Sequence, residues 1–249
     1  MSKKLAVLGS PIDHSKSPQI QLAALAALGL EATFERYDVS DLGSFLGSNQ
    51  GFDALSLTMP LKEQALAVAN WHDPIARRAK SANYLLRGSQ GWHAFNTDVF
   101  GVQKATEHLK AETVGILGTG ATARSALVAM AVSDLRVWGR NTALAQSLAD
   151  DYGAKAADLE SVLSCDLVIS TLPGDSLAGL VGTSQRGVLL DAVYSRPSPT
   201  GFAGYISGIQ MLVWQAIGQL RLLINDANSP VTGEEQLAAV MVSVAELAE

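Results

Sequence analysis

The sequence predicts an α/β protein of two domains. Short β-rich apolar runs alternate with longer stretches of helical period, and a glycine loop near the middle opens a fresh strand–helix unit. The carboxy-terminal stretches Ile209 to Ile224 and Thr232 to Leu247 are helical in period with no strand signal, so they must pack against something earlier in the chain. We therefore expect an amino-terminal α/β domain over residues 1–100, a second domain over 101–208, and helices over about 209–249 that return to the first domain. A chain of 249 residues is long enough for either one large or two medium self-sufficient cores.

The elements follow in order. Leu5 to Leu8 is a first strand, Pro18 to Leu28 an Ala/Leu-rich helix stopped by Gly29, and Phe34 to Val39 a second strand. Phe52 to Leu57 is a third strand, followed by a helix over about Leu61 to Ala69. Asn83 to Leu86 and Trp92 to Phe95 flank Arg87-Gly88-Ser89-Gln90-Gly91 and read as a hairpin. A helix from about Asp98 to Leu109 leads to the strand Thr113 to Leu117, a helix to about Val132 and a strand at Leu135 to Trp138, which is a βαβ opening. Strands at Asp166 to Thr171 and Val188 to Val193 continue a largely parallel pattern.

Composition narrows the function classes. Hydrophobic residues are 48% and charged residues 17% of the chain, which excludes a disordered protein. The net charge of −6 offers no overall field for nucleic acid or an anionic membrane, so neither partner is expected. Cys165, the single cysteine, excludes an internal disulfide and reads as a buried structural thiol in an apolar strand. His14, His72, His93 and His108 are scattered without metal-ligand spacing, and no metal is expected. The apolar run near the amino terminus is too short for a signal segment or a membrane span, and the expected location is cytoplasmic.

Gly118-Thr119-Gly120-Ala121-Thr122-Ala123 follows a predicted strand and opens a predicted helix, which is the setting the G-x-G-x-x-G/A loop of a Rossmann-type domain requires. Gly118 permits the tight turn, Gly120 lets a pyrophosphate approach the backbone, and Ala123 lets the helix sit close to the strand. The helix start supplies N–H donors and partial positive charge. The next strand runs out at Trp138-Gly139-Arg140-Asn141, so Arg140 stands 22 positions beyond Gly118, where NAD-binding domains carry a carboxylate. A guanidinium there can pair with a 2′-phosphate that a carboxylate would repel, so NADP is the expected cofactor; a solvated surface arginine is the plainer alternative.

Two further corners are rich in donors. Gly9-Ser10-Pro11-Ile12-Asp13-His14-Ser15-Lys16-Ser17-Pro18 packs hydroxyls between a strand and a helix; Ser15 and Ser17 can bind a carboxylate, while Ser17 can instead cap the helix. Ser56-Leu57-Thr58-Met59-Pro60-Leu61-Lys62 brings hydroxyls and an amine to a strand-to-helix corner, and Asn96-Thr97-Asp98 adds a carboxylate after the hairpin.

Taken with Asp191-Ala192-Val193-Tyr194 and Gly208-Ile209-Gln210-Met211-Leu212-Val213-Trp214-Gln215-Ala216, these motifs occur in the order of the shikimate and quinate dehydrogenases, and the chain resembles that family over nearly its whole length. The resemblance implies a substrate-binding catalytic first domain and an NADP-binding second domain, reducing 3-dehydroshikimate to shikimate in aromatic amino-acid biosynthesis. It implies Lys62 and Asp98 as catalytic residues, and Ser15, Ser17, Thr58, Asn83, Tyr194 and Gln215 as substrate ligands. For the cofactor it implies Gly118, Thr119, Gly120, Ala121, Arg140, Asn141, Thr171, Gly208 and Met211. The partner is a small molecule, and the chain is expected as a monomer or homodimer.

Some positions depart from the family pattern. Ser56 stands where N-V-T-x-P has its asparagine, Gln21-Leu22 where H-N follows S-P, and Lys80-Ser81-Ala82-Asn83-Tyr84 where the pattern reads G-A-x-N-T. These changes touch the substrate side. A quinate or amino-shikimate specialist and a non-catalytic NADP-binding regulator are the alternatives they leave open.

Overall fold

The computed structural model describes residues 2–177, 179–180, 185–195, 200–225 and 229–247. The chain divides into two compact units, Met1–Thr97 with Val213–Glu249, and Asp98–Leu212.

The first unit runs β1 (Lys3–Gly9), α1 (Ser17–Ala27), β2 (Ala32–Asp38), α2 (Leu42–Ser48), β3 (Ala54–Leu57), α3 (Gln64–Val68), β4 (Trp71–His72), α4 (Pro74–Ala79), β5 (Tyr84–Gly88) and β6 (Gly91–Phe95). Its sheet has the order β2-β1-β3-β5-β6-β4. β1 pairs in parallel with β2 and β3, and it is buried on both faces from Leu5 to Gly9, as an inner parallel strand must be. The sheet is mixed: β5 runs antiparallel to β6, as the expected hairpin requires, with the turn at Ser89-Gln90, and it also pairs antiparallel with β3. Ala6, Leu8, Leu55, Leu61 and Leu85 are buried in its core.

Two short helices of this unit have no expected counterpart, and both rest on caps. The Asp41 carboxylate accepts from Ser44 N at 2.9 Å, starting α2 despite its glycines and serines. Asp73 accepts from Ala76 N at 3.1 Å, with Pro74 in the first helical turn of α4. The helix expected over Leu61 to Ala69 shrinks to α3, because Leu61 N turns back to Thr58 O at 2.8 Å and leaves Leu61 and Lys62 in a turn.

The second unit runs α5 (Asp98–Thr106), β7 (Thr113–Leu117), α6 (Ala121–Ala129), β8 (Asp134–Trp138), α7 (Thr142–Tyr152), β9 (Lys155–Ala156), α8 (Leu159–Leu163), β10 (Leu167–Ser170), a 3-10 turn at Gly174–Leu177, β11 (Val188–Asp191) and β12 (Gly204–Ser207). Every pairing is parallel, in the order β12-β11-β10-β7-β8-β9. This is the doubly wound dinucleotide-binding order, with its switch point between β7 and β10. β11 stops at Asp191, short of the expected Val193, because Val193 N turns to the Asp191 side chain at 3.2 Å. Cys165 is buried, and burial pushes its thiol above the ordinary range, as suits an inert core cysteine.

Helix α9 (Gly208–Ile224) contributes its first turn to the second unit and its remainder, from Val213, to the first. Helix α10 (Glu234–Leu247) belongs to the first unit, where it packs on α1. Lys16 Nζ there donates to Ala245 O at 2.7 Å, placing a cation at the carbonyl end of α10.

Candidate active site

In the first unit the sheet topology gathers the donor-rich corners at one end. Strands β1 and β3 run parallel, so the loops after both emerge at the same end; β5 starts and β6 finishes there because they run antiparallel in sequence. The opening loop and the Thr58 corner meet directly. Ser10 N donates to Met59 O at 2.9 Å, and Thr58 N to Leu8 O at 2.9 Å. Gly9 makes this approach possible, since a Cβ there would stand 2.3 Å from Thr58 Cγ2 and 2.9 Å from Met59 O. Ala82 N donates to Lys62 O at 2.8 Å, tying the Lys62 turn to the segment that carries Asn83.

Ser15 and Ser17 are both buried, 6% and 7% exposed. Ser17 is the first residue of α1, Lys16 holds the capping position, and Ser17 N donates to Ser15 Oγ at 3.4 Å. The capping role open to Ser17 is therefore not the one it takes, because it already lies inside the helix. Arg36 on β2 fixes the loop from below, donating through Nε and Nη2 to Ser15 O at 2.9 and 2.7 Å. Thr58 and Lys62 are half-buried at the corner after β3.

Asn83 stands in the middle of a buried amide network. Its Oδ1 accepts from Thr97 N at 2.7 Å, and its Nδ2 donates to Thr97 Oγ1 and to Gln215 Oε1, both at 3.0 Å. Gln215 Oε1 also accepts from Gln219 Nε2 at 2.7 Å, and Gln219 Oε1 accepts from Ser56 Oγ at 2.8 Å and Gln21 Nε2 at 2.9 Å. Thr97 and Gln219 carry no expected role from the motifs. The signal for Gln219 is present in the sequence, because Gln215 and Gln219 are one helical turn apart on a helix otherwise rich in apolar residues. Tyr84, the departure next to Asn83, is a buried β5 residue opposite Ser56, and burial pushes its hydroxyl well above the ordinary range.

Asp98 opens α5 as the first residue of the second unit and is buried. In that unit the glycine loop follows β7 at the switch point. Gly118 has φ +118°, which a side chain would strain, and a Cβ there would lie 2.3 Å from Thr171 Oγ1. Thr171 Oγ1 donates to Leu117 O at 3.0 Å, so Thr171 is a brace between the ends of β7 and β10. Gly120 is the N-cap of α6, and a Cβ built on it meets nothing within 4 Å, which leaves room for a phosphate against the helix start. Thr119 and Ala121 flank it, and Ala123 is fully buried in the core. These residues fit a dinucleotide.

Arg140 is exposed after β8, while Asn141 caps α7 by accepting from Leu144 N at 3.0 Å. Tyr194 is half-buried in the turn after Asp191. Gly208 begins α9, and Met211 packs into the core of the second unit. Among the described residues no group of His, Cys, Asp and Glu could hold a metal ion, and no helix is long and apolar enough to cross a membrane.

Residues 7–85 match the family model for the shikimate dehydrogenase substrate binding domain. The chain is similar to a shikimate dehydrogenase (NADP+) of Thermus thermophilus, at 32% identity over 248 residues, covering 88% of this chain and 91% of that one. Its structure is similar to that of Mycobacterium tuberculosis shikimate dehydrogenase, with 35% identity, a TM-score of 0.84, and 97% and 99% of the two chains covered. It is also similar to a Thermus thermophilus shikimate 5-dehydrogenase in complex with NADP(H) and shikimate, at 29% identity and a TM-score of 0.83 over 99% and 100% of the chains.

Proposed function

The chain belongs to the shikimate dehydrogenase family, and from that premise we propose that it catalyses the NADP-dependent, reversible reduction of 3-dehydroshikimate to shikimate in aromatic amino-acid biosynthesis. The observation that carries this reading is the gathering of hydroxyls, amides and a lysine at one end of the first sheet. A polyhydroxylated ring acid requires such a donor set, and a site that leaves those donors unpaired with a poorer ligand loses about 1–3 kcal/mol for each.

Within this reading, Ser15 and Ser17 take the ring carboxylate, as buried hydroxyls whose loop is pinned by Arg36. Thr58, Asn83 and Gln215 take ring oxygens, and the resemblance adds Tyr194 as a further substrate ligand. Reduction of a ketone needs a hydride at carbon and a proton at oxygen, and the bound nicotinamide supplies only the hydride. Lys62 supplies the proton, or a hydrogen bond, to the developing alkoxide. Asp98, a buried carboxylate, is the second proton-handling group, and in the oxidation direction the two accept the hydroxyl proton.

The Gly118–Ala121 backbone holds the pyrophosphate at the start of α6, and Arg140 pairs with the 2′-phosphate. Asn141, Thr171, Gly208 and Met211 complete the cofactor side, Thr171 by bracing the loop. The buried free thiol of Cys165 suits a reducing, cytoplasmic setting, and the protein acts there as a monomer or homodimer.

The test is the absorbance of reduced nicotinamide when the purified protein meets shikimate and NADP, with NAD and quinate as crossed controls. Turnover that needs both shikimate and NADP is the expected result. Preference for quinate would move the chain to a related specialist, and tight NADPH binding without turnover would make it a regulator.

A further inference from the structure

Resting on that reading, we infer that Gln219 is a positioning residue that, together with Asn83, locks which end of the Gln215 amide meets the substrate. The two ends of a glutamine amide are nearly alike in shape, so only hydrogen-bond partners decide its polarity. Here the decision starts at a group that cannot be reversed. Thr97 N–H is a backbone donor and must face an acceptor, which fixes Asn83 Oδ1 towards it at 2.7 Å. Asn83 Nδ2 is thereby turned to Gln215, and the atom it meets at 3.0 Å must be Oε1.

Gln219 Nε2 donates to that same Oε1 at 2.7 Å. Two donors occupy the two lone pairs of one carbonyl oxygen, so what Gln215 offers a ligand it offers as a donor through Nε2. Because Gln215 Oε1 can only accept, Gln219 must turn Nε2 to it, and at its other end Gln219 Oε1 accepts from Ser56 Oγ at 2.8 Å and Gln21 Nε2 at 2.9 Å. Gln21, Ser56, Asn83, Gln215 and Gln219 are all buried, where a reversed amide would set donor against donor.

The same geometry explains two departures from the family pattern together. Gln21 and Ser56 converge on one atom, the Oε1 of Gln219. The amide absent from β3 at position 56 is present instead on α9, one turn beyond Gln215. The consequence is a specificity: the site selects a ring that presents an oxygen acceptor to Gln215, and Gln219 enforces that choice without touching the ring.

Steady-state kinetics of Gln219→Met, Gln215→Ala and the double variant test this in the full-length protein with shikimate and NADP. In Gln219→Met, loss of one hydrogen bond to Gln215 should raise the KM for shikimate about tenfold, with KM for NADP unchanged and kcat reduced by less than about threefold. In the Gln215→Ala background the same substitution should leave the shikimate KM unchanged. Equal losses in both backgrounds, or a joint rise in both KM values with a lowered Tm, would overturn the positioning role in favour of a packing one.

If Gln219→Met does not fold, Ser56→Ala removes one of the two donors that orient Gln219 and should raise the shikimate KM about threefold. A readout without substrate separates this proposal from the proposed function. The side-chain amide NMR signals of Gln215 should shift in Gln219→Met, or in Ser56→Ala, while those of Asn96 stay in place. Unmoved Gln215 signals would defeat the relay, whereas a wild-type protein inactive on shikimate would defeat only the assigned reaction.

Discussion

The two units build their candidate sites from different atoms. In the first, the polar groups are side chains brought from α1, β3, the segments flanking the hairpin, and α9, and held by hydrogen bonds across as many as 198 residues of sequence. In the second, they are backbone N–H groups at the start of one helix, framed by glycines within a single strand–loop–helix unit. A side-chain site is specific in chemistry but depends on distant partners. A backbone site is local, tolerant of its neighbours and general for phosphate.

The largest effect that would sharpen this contrast is at Lys62. Lys62→Ala should lower kcat by about a thousandfold, within the usual range for loss of a general acid, and leave NADPH affinity unchanged in a fluorescence titration. Normal turnover would remove Lys62 from the chemistry and leave the first unit a binding platform.

Gly118→Val tests the other unit. Forcing a branched side chain into φ +118° against Thr171 should weaken NADPH binding by about 10- to 100-fold, while shikimate binding followed by calorimetry persists. Loss of both would show that the two sites are not separable.

A smaller change is expected at Arg140, the side chain that the proposed function pairs with the 2′-phosphate. Arg140→Ser should cut the preference for NADP over NAD by about tenfold or more, read as the ratio of kcat/KM values, since a charge-assisted bond to the 2′-phosphate is lost. An unchanged ratio would return Arg140 to the status of a solvated surface residue.

The smallest effect concerns pH and stability. Hydrogen bonds from Arg136 and then Lys155 hold the Asp134 carboxyl down to about 2. A lowered carboxylate stabilises the fold above its unfolded pKa of about 3.9 and loses that contribution as pH falls towards 2. Asp134→Asn should therefore lower Tm slightly at neutral pH, and the gap from wild type should close on acidification. A gap that widens at low pH would contradict this sign.

The contrast also explains how far the sequence could be read. The glycine loop was legible because turn, phosphate approach and helix start all lie within six residues, and the strand Thr113–Leu117 has the bounds that its apolar run predicts. Helices α2 and α4 escaped the periodicity because each is under eight residues and rests on an Asp cap. β4 and β9 are too short for any pattern, at two residues each. In the first unit, Ser15, Ser17, Thr58, Asn83 and Gln215 stood out through resemblance, since no local spacing relates them. Gln219 was legible only as a second amide one turn from Gln215, because its other partners, Gln21 and Ser56, lie 198 and 163 positions away.

By itself, then, the sequence determined the fold class, the glycine loop and the types of residue available for chemistry, because these depend on short-range periodicity and local backbone preference. Only the tertiary structure decided that the hairpin joins the first sheet antiparallel to β3, that Ser17 lies inside its helix, and that the amides of Asn83, Gln215 and Gln219 share one polarity. The physical reason is the reach of the interactions. An amide takes its orientation from whichever donors and acceptors burial places around it, and burial is a property of the assembled fold.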